Sequence, residues 1–446
     1  MSSGPGACAG GGDRPQPAGI SRVSGVTGLH RPAGLRVVLD VRPLQDPGRA
    51  PATARYLDGL LGAFDAEPIP GESFAFLLQS DLDDPTTEFA RLDVVGRRLL
   101  PPTRLLGSGA LTIDPFLLRG ASLGAAWRAG RSGAAGAVYH AVAGAPPLLS
   151  RIPIVVTLLD LGPWELPDAF QRSPASRFGQ RLRARLVRDA AAIIVGTEAV
   201  AVAARRLLRV RSSRIRVVPL AAHPAFAAAS APALTPGVAA AADEERVRLG
   251  LPDRFLVYFG RFDARHDVAT FLRALSLLAD RPRPRGLPAG TGWPPQVLIV
   301  GASPADRGAL ARAAARLGVG DSLVYAPALP PERLAGLVRA SRAVLLPALS
   351  DASGLPAIDS IAAGTPVVAT AVGALPEVVG PAGILVEPRD PARLAEALRT
   401  AWADDRVHGR LMTEARERAT SQQRAWADVA TETRGVYADV GVRRPA

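Results

Sequence analysis

Residues Pro347–Glu377 have the sequence PALSDASGLPAIDSIAAGTPVVATAVGALPE and carry the densest structural signal in the chain. Their pattern predicts a strand, a small polar turn over Ser350–Gly354 and a helix that begins at about Leu355. The free N–H groups at such a helix start form an anion site, which suits a diphosphate. Asp351 precedes the helix and Asp359 lies about one turn inside it, so both carboxylates can face one ligand from different heights.

Strands alternate with helical stretches on both sides of this segment, which is the pattern of βαβ units in a parallel sheet. The predicted strands are short, apolar and rich in β-branched residues: Leu35–Val41, Phe74–Leu78, Gly136–His140, Ile152–Leu158, Ala192–Val195, Ile215–Pro219, Phe255–Gly260, Val297–Gly301, Leu323–Ala326, Ala343–Pro347 and Pro366–Ala369. The predicted helices are Ala54–Phe64, Arg177–Asp189, Ala199–Leu208, Val268–Leu278, Arg333–Ala340, Gly354–Gly364 and Ala392–Trp402. The fold class is therefore α/β, with two tandem Rossmann-like, doubly wound domains and a ligand cleft between them.

Shifts in composition along the 446 residues indicate the domain boundaries. Residues 1–34 are rich in Gly, Pro and Ser and predict a flexible tail without the apolar core of a signal peptide. Residues 35–224 are interpreted as the N-terminal domain, and the Ala/Pro/Ser-rich residues 225–247 as an interdomain linker. Residues 248–420 form the C-terminal domain, and residues 421–446 a terminal helix. A chain of this length is too long for one ordinary core.

Composition excludes several classes of function. The formal net charge of +12 suggests nucleic-acid binding, but all 53 basic residues are arginines, spread through the chain without interleaved aromatic residues. We therefore expect no nucleic-acid partner. Cys8 is the only cysteine, so an intramolecular disulfide and a cysteine metal cluster are excluded. The Asp-x-Asp of residues 81–84 precedes Pro85 and is interpreted as a solvated turn, not a metal site.

No run approaches the ~18 consecutive apolar residues of a membrane span, and we expect a cytoplasmic protein. The arginine-rich stretch Arg177–Arg188 leaves two alternatives open. It can make peripheral contact with an anionic surface of the inner membrane, or it is an exposed basic helix face.

The segment Pro347–Glu377 resembles the signature of the family 4 retaining glycosyltransferases. In that family a Glu, seven residues, Glu motif surrounds a Gly-Leu/Phe-Pro turn, and a small-residue helix leads to Gly-Thr-Pro-Val-Val-Ala and then to Gly-Gly-x-Pro-Glu. Further matches occur in the family's order at Arg42–Leu44, Arg55-Tyr56, Val155–Thr157, Asp160-Leu161, Val218–Leu220, Pro224–Phe226, Gly260–Asp263 and Trp426–Tyr437. The resemblance implies the GT-B fold, with the acceptor side in the N-terminal domain, the nucleotide-sugar donor in the C-terminal domain, and a last helix that crosses back to the N-terminal domain.

The resemblance also implies roles for individual residues. Asp351 and Arg261 would be the catalytic residues, since Asp351 would hold hydroxyls of the transferred sugar and Arg261 the donor diphosphate. Asp359 would hold the ribose hydroxyls through charge-assisted hydrogen bonds. The remaining donor-binding candidates are Arg265, His266, the backbone N–H groups of Ser353, Gly354 and Leu355, and Glu377. His140 and Asp160 are the candidates on the acceptor side of the cleft.

Five of these candidates also have ordinary structural interpretations. Asp351 and Asp359 can be helix-capping or surface carboxylates, and Glu377 can complement a helix dipole. His140 can be a hydrogen-bonded core histidine, and His266 a solvated loop histidine.

The sequence departs from the family pattern at several positions. Both signature glutamates are aspartates, and each would reach roughly 1.5 Å less, while a misplacement of ~1 Å can lower a rate about a hundredfold. His266 takes the place of the family's lysine, Leu159 the place of a histidine that contacts the reacting sugar, and Ala52–Ala54 the place of a glycine turn.

The resemblance implies a retaining, metal-independent hexosyltransferase without a cofactor. It would use a nucleotide-diphosphate sugar and a glycan or lipid-linked acceptor. The alternative is a catalytically degenerate GT-B protein that binds a nucleotide sugar or a partner without transfer.

Overall fold

Two parallel β-sheets, each flanked by helices, form an N-terminal and a C-terminal lobe. The computed structural model describes residues 34–131, 136–142, 146–229, 236–259, 262–288, 291–327 and 329–441. The N-terminal lobe contains β1 Leu35–Asp40, α1 Arg42–Gln45, α2 Pro51–Ala66, β2 Ser73–Gln79, β3 Val94–Leu100, α3 Ala110–Arg131, β4 Gly136–Ala141, β5 Ile154–Thr157, α4 Gly162–Glu165, α5 Pro167–Phe170, α6 Pro174–Asp189, β6 Ala192–Val195, α7 Glu198–Leu208 and β7 Ile215–Val217.

The C-terminal lobe repeats the alternation of strands and helices. It contains α8 Pro224–Ala229, α9 Pro236–Arg248, β8 Leu256–Phe259, α10 Val268–Ala279, β9 Val297–Val300, α11 Pro304–Arg316, β10 Leu323–Tyr325, α12 Pro331–Ala340, β11 Val344–Leu346, α13 Leu355–Ala362, β12 Val367–Thr370, α14 Leu375–Val379, β13 Gly383–Val386, α15 Pro391–Ala403 and α16 Asp405–Ser421. The last helix, α17 Trp426–Gly441, follows.

Both sheets are parallel throughout and doubly wound. The first has the strand order β3-β2-β1-β4-β5-β6-β7 and the second the order β10-β9-β8-β11-β12-β13. In each sheet the order reverses beside the first strand, where doubly wound folds bind ligands at the carboxyl ends. The predicted two-domain α/β architecture is confirmed.

Helix α17 packs against the N-terminal lobe. Its aromatic residues Trp426 and Tyr437 are buried in the same hydrophobic cluster as Tyr56 and Phe64 of α2. Gly59 of α2 permits this contact, because a Cβ atom there would lie 2.3 Å from the indole ring of Trp426. Helix α17, which follows α16, thus connects the C-terminal lobe to the N-terminal one.

The region interpreted as a linker contains helices α8 and α9. Alanine-rich sequence is a strong helix former, and this outweighs the prolines at the edges of the segment. Helix α9 packs against α12, and Arg333 of α12 pairs with Glu245 of α9 at 3.1 Å. The structure also contains β3, α3, α11, β13 and α16, which the sequence pattern did not predict. In the described residues, no helix is long and apolar enough to cross a membrane.

Candidate functional site

The turn between β11 and α13 is held by Asp351. Its Oδ1 accepts hydrogen bonds from the backbone N–H groups of Ser353 (2.9 Å) and Gly354 (2.8 Å), and its carbonyl oxygen accepts one from Ala374 (2.8 Å). Gly373 lies against the same residue with φ +54°, and a Cβ atom there would be 1.9 Å from the Asp351 carbonyl. Asp351 therefore caps its own turn, and the N–H groups of Ser353 and Gly354 point at its carboxylate.

Leu355 and Asp359 face the N-terminal lobe. Leu355 is buried in the hydrophobic cluster of that lobe, which also contains Leu159. The Asp359 carboxylate, 3% exposed, receives both Nη groups of Arg55 on α2 and the backbone N–H of His223 at 3.0 Å. Arg55 belongs to the N-terminal lobe, whereas His223 directly precedes α8, which packs against α13 in the C-terminal lobe. The group that the resemblance assigns to a ribose is thus paired with an arginine from across the cleft.

The loop between β8 and α10 crosses the cleft at a second point. Arg265 donates to Asp160 of the other lobe, with Nε 3.0 Å from Oδ1 and Nη2 2.5 Å from Oδ2, and to Asp263 at 2.6 Å. Burial opposes ionisation of Asp160, but its hydrogen bonds and ion pair with Arg265 outweigh this and lower its pKa. His266 Nδ1 lies 3.2 Å from Asp263 Oδ1. Arg261, predicted to bind the diphosphate, lies outside the described residues.

Glu377 makes a third contact between the lobes. Its carboxylate accepts hydrogen bonds from the backbone N–H groups of Glu198 (3.3 Å) and Ala199 (3.0 Å) at the start of α7. A negative charge at a helix N-terminus is favourable because the free N–H groups and the dipole both attract it. Glu377 therefore complements a helix dipole, although the helix is α7 and not its own.

His140 is buried in the N-terminal lobe between β5 and α17. Its Nδ1 lies 2.6 Å from the Tyr437 hydroxyl and its Nε2 lies 2.7 Å from Thr157 Oγ1. Burial lowers its pKa to about 3. His140 thus occupies the hydrogen-bonded core position that the sequence left open as an alternative, and its side chain has no exposed surface in this structure.

A further contact across the cleft joins Ser350 to Glu165. The Ser350 hydroxyl donates to Glu165 Oε2 at 2.5 Å, and burial raises the pKa of Glu165. Together these groups form one polar boundary between the lobes, here called the interlobe seam: Arg55, Asp160, Glu165, Arg265, Ser350, Asp359 and Glu377.

Sequence reasoning assigned no role to Arg55, Glu165 or Ser350. Arg55 belongs to one of the matched motifs, Arg55-Tyr56. Its positive charge on α2, near the cleft, is the one feature of the sequence that could have indicated a role for it. The pairing itself depends on how the lobes meet, which no local pattern encodes. In the described part of the chain, no group of three or more His, Cys, Asp and Glu residues could hold a metal ion.

Comparisons with known proteins agree with this geometry. Residues 253–404 match the family described as Glycosyl transferases group 1. The D-inositol 3-phosphate glycosyltransferase of Streptomyces coelicolor is 38% identical over 129 residues, 26% of this chain and 26% of that protein. The chain spans about a quarter of the length of the curated relatives it matches. The predicted resemblance is therefore confirmed for the C-terminal lobe.

Solved structures extend the likeness to both lobes. Sucrose-phosphate synthase from Thermosynechococcus elongatus superposes with a TM-score of 0.65 and 20% identity, over 91% of this chain and 98% of that one. Anabaena Alr3699/HepE, solved in complex with UDP and glucose, superposes with a TM-score of 0.63 and 15% identity, over 91% and 99%. These structures establish the two-lobed GT-B fold.

Proposed function

We propose, on the premise that residues 253–404 form a group 1 glycosyl transferase domain, that the chain transfers a hexose from a nucleotide-diphosphate sugar to a glycan or lipid-linked acceptor. Transfer would proceed with retention of anomeric configuration and without a metal ion. The names of the curated relatives and the UDP-containing neighbour support the choice of reaction and donor.

The single observation that carries the proposal is the environment of Asp359. This carboxylate is almost fully buried, yet its side-chain partner Arg55 belongs to the other lobe and would separate from α13 when the lobes part. Opening the cleft would expose it at the first turns of a helix whose N-terminus attracts phosphate. A carboxylate there can accept two ribose hydroxyls while the helix start faces the diphosphate.

Asp351 is proposed to keep its turn-forming role during the reaction. Its Oδ1 holds Ser353 and Gly354, so Oδ2 is the oxygen that would accept a hydroxyl of the transferred sugar. Arg265, whose carbonyl oxygen accepts hydrogen bonds from the backbone of Leu349 and Ser350, would stabilise the leaving diphosphate, together with Arg261 as the resemblance implies. His266 would add a hydrogen bond to the same phosphates.

Contacts in and beside the interlobe seam favour the alternative function, a protein that binds a nucleotide sugar or a partner without transfer. Arg55 occupies Asp359, and Leu159 lies in the same apolar cluster as Leu355 where the family has a polar histidine. Both features would suit a cleft that stays closed.

Turnover separates these two functions. Release of free nucleotide would be measured with a panel of UDP- and GDP-sugars, each with EDTA and with added Mg²⁺. We expect release with at least one donor, at the same rate in EDTA. Donor binding without release for every sugar would select the non-catalytic alternative, and a requirement for Mg²⁺ would overturn the metal-free mechanism.

A peripheral membrane contact is proposed for the face that contains α3 and α6. The arginines Arg177, Arg181, Arg185 and Arg188 of α6 are exposed on one side of the helix. Bulky apolar side chains on the neighbouring segments are also exposed: Leu105 72%, Phe116 56% and Phe178 58%. Basic and apolar groups on one surface favour an anionic bilayer. Co-sedimentation with phosphatidylglycerol vesicles, but not with phosphatidylcholine vesicles, is the expected result.

A further inference from the structure

A large cavity lies between the lobes, behind the donor turn. Its volume is about 1040 Å³, and both lobes line it. The N-terminal lobe contributes the ends of β6 and β7, through Thr197 and Leu220. The C-terminal lobe contributes α13, α14 and the end of α16. We call this space the arginine cavity, after Arg339, Arg416, Arg418 and Arg424, which line it.

The charge in this cavity is strongly unbalanced. Among the described residues that line it, Glu377 is the only carboxylate. Its two oxygens already accept hydrogen bonds from the start of α7. Arg424 is compensated by Glu432, 2.9 Å away and outside the lining. Arg416 and Arg418 therefore confer a net positive charge on the cavity.

Within the described ranges, neither Arg416 nor Arg418 forms a salt bridge with an Asp or Glu, although the more distant carboxylates of Glu377 and Glu414 favour the charged form of Arg418. Arg418 Nη2 donates to the backbone carbonyl of Glu377 at 2.8 Å, while its buried Nε has no hydrogen-bond partner among the described residues. Burial and the nearby Arg416 lower the pKa of Arg339, and burial lowers the pKa of Arg418. Arg339 and Arg416 repel one another, and an anion bound beside Arg416 would relieve this repulsion.

The rest of the lining suits a hydroxylated ligand. Thr420, Ser421, Gln422 and Gln423 follow the arginines along the chain and line the same space. Their hydroxyl and amide groups can donate to and accept from sugar-like hydroxyls. Arginine is the side chain best matched to phosphate oxygens, since its fork binds two of them at once.

The cavity also touches the elements that carry the proposed donor site. Ile358 lines it and precedes Asp359 on α13. Val378 lines it as well and packs beside the donor turn, where a Cβ on Gly354 would lie 3.0 Å from its Cγ2. A ligand here would touch both lobes and the rear of the donor turn at once.

We propose that the arginine cavity binds a small phosphorylated polyol and so stabilises the closed arrangement of the lobes. Arg416 and Arg418 bind its phosphate, and the Thr420–Gln423 segment binds its hydroxyls. This second site goes beyond the proposed transferase reaction and does not depend on it.

The test is isothermal titration with sorbitol 6-phosphate as the probe, with inorganic phosphate and sorbitol in parallel at constant ionic strength. We expect sorbitol 6-phosphate to bind the parent chain more tightly than inorganic phosphate, and sorbitol alone to give no signal. Arg416→Gln and Arg418→Gln should each weaken binding by about tenfold or more, as the loss of a charged hydrogen bond implies. Arg410→Gln is the matched control, because Arg410 is exposed on the same helix and does not line the cavity.

Absence of binding to the parent chain would overturn the proposal, as would undiminished binding by both variants. Equal affinity of the parent chain for inorganic phosphate and for sorbitol 6-phosphate would overturn the proposal that the cavity recognises the hydroxyls of a polyol. Arg416 is exposed, so its variant should fold even if Arg418→Gln does not. Asp359→Asn should keep the sorbitol 6-phosphate affinity while it loses nucleotide binding. A chain that binds no nucleotide but passes this test would refute the transferase proposal alone.

Discussion

The two signature aspartates are both engaged by protein groups, but in different ways. Asp351 holds its own turn, an interaction that ligand binding can leave intact. Asp359 is held by Arg55 from the other lobe, an interaction that a ribose must replace. Arg55 and the ribose of a donor would therefore compete for the same carboxylate of Asp359.

Replacing Arg55 tests this competition. Arg55→Ala should free the Asp359 carboxylate and increase the affinity for UDP or GDP about three- to tenfold, because the nucleotide no longer displaces a buried cation. The same change should destabilise the fold by about 2 kcal/mol, since a buried carboxylate loses its partner. Titration calorimetry and urea unfolding measure the two effects. Arg177→Ala, at an exposed position on α6, should change neither. Weaker nucleotide binding in Arg55→Ala would show that Arg55 assists the donor instead.

Part of the candidate site could be predicted from local sequence. The helix start at Leu355 and the small turn before it follow from glycine and the apolar period, and the structure has both. The pairing of Asp359 with Arg55 could not be predicted, because it joins residues 304 positions apart through the packing of two lobes. The environment of His140 depends in the same way on α17, nearly 300 residues later along the chain. The roles assigned to the other donor-binding residues stay predictions.

At the scale of elements, the contact between α2 and α17 depends on the absence of a side chain. Gly59→Ala would place a Cβ atom within 2.3 Å of Trp426, so α17 would have to shift. We expect a loss of about 2 kcal/mol in the free energy of unfolding, in the range of overpacked cores. Gly62→Ala on the same helix is the matched control, because nothing lies within 4 Å of its Cβ position. In Gly62→Ala, the better helix propensity of alanine should increase the free energy of unfolding by up to ~1 kcal/mol. Equal urea midpoints for the two variants would contradict the described packing.

His140 on strand β4 makes the stability of the fold depend on pH. Its pKa is lowered to about 3 in the folded state, so the unfolded state, with an ordinary pKa, binds the proton first. The contribution of neutral His140 to the free energy of unfolding is complete above about pH 6.5. As the pH falls from there towards the folded-state pKa, this contribution decreases by about 1.4 kcal/mol per pH unit. His408, with a pKa lowered to about 4 by burial, acts in the same direction.

Urea unfolding between pH 7 and pH 5 measures this slope. His140→Gln keeps hydrogen-bonding groups but does not titrate, so its stability should be lower and should vary less with pH. A slope identical to that of the parent chain would show that His140 is accessible to protons in the folded state.

At the scale of the whole molecule, the two-lobed architecture was predictable because it repeats one simple pattern. Apolar, β-branched strands such as β1 and β6 are buried at every position, as parallel sheets require. The exposed strand β3 and the long helix α3 lack that clear pattern, and β3 is exposed along most of its length at a sheet edge. Helices α8 and α9 were missed because Ala-rich sequence with flanking prolines also fits a linker.

Asp359, at the start of the donor-lobe helix α13, is proposed to bind the ribose of a nucleotide sugar between the lobes. The most direct test is calorimetric titration of the parent chain and of Asp359→Asn with a panel of UDP- and GDP-sugars. We expect at least one donor to bind the parent chain, with an affinity that falls about tenfold or more in the variant through loss of charged hydrogen bonds. Equal affinity of the two proteins for that donor, or binding of none of them by the parent chain, would contradict it.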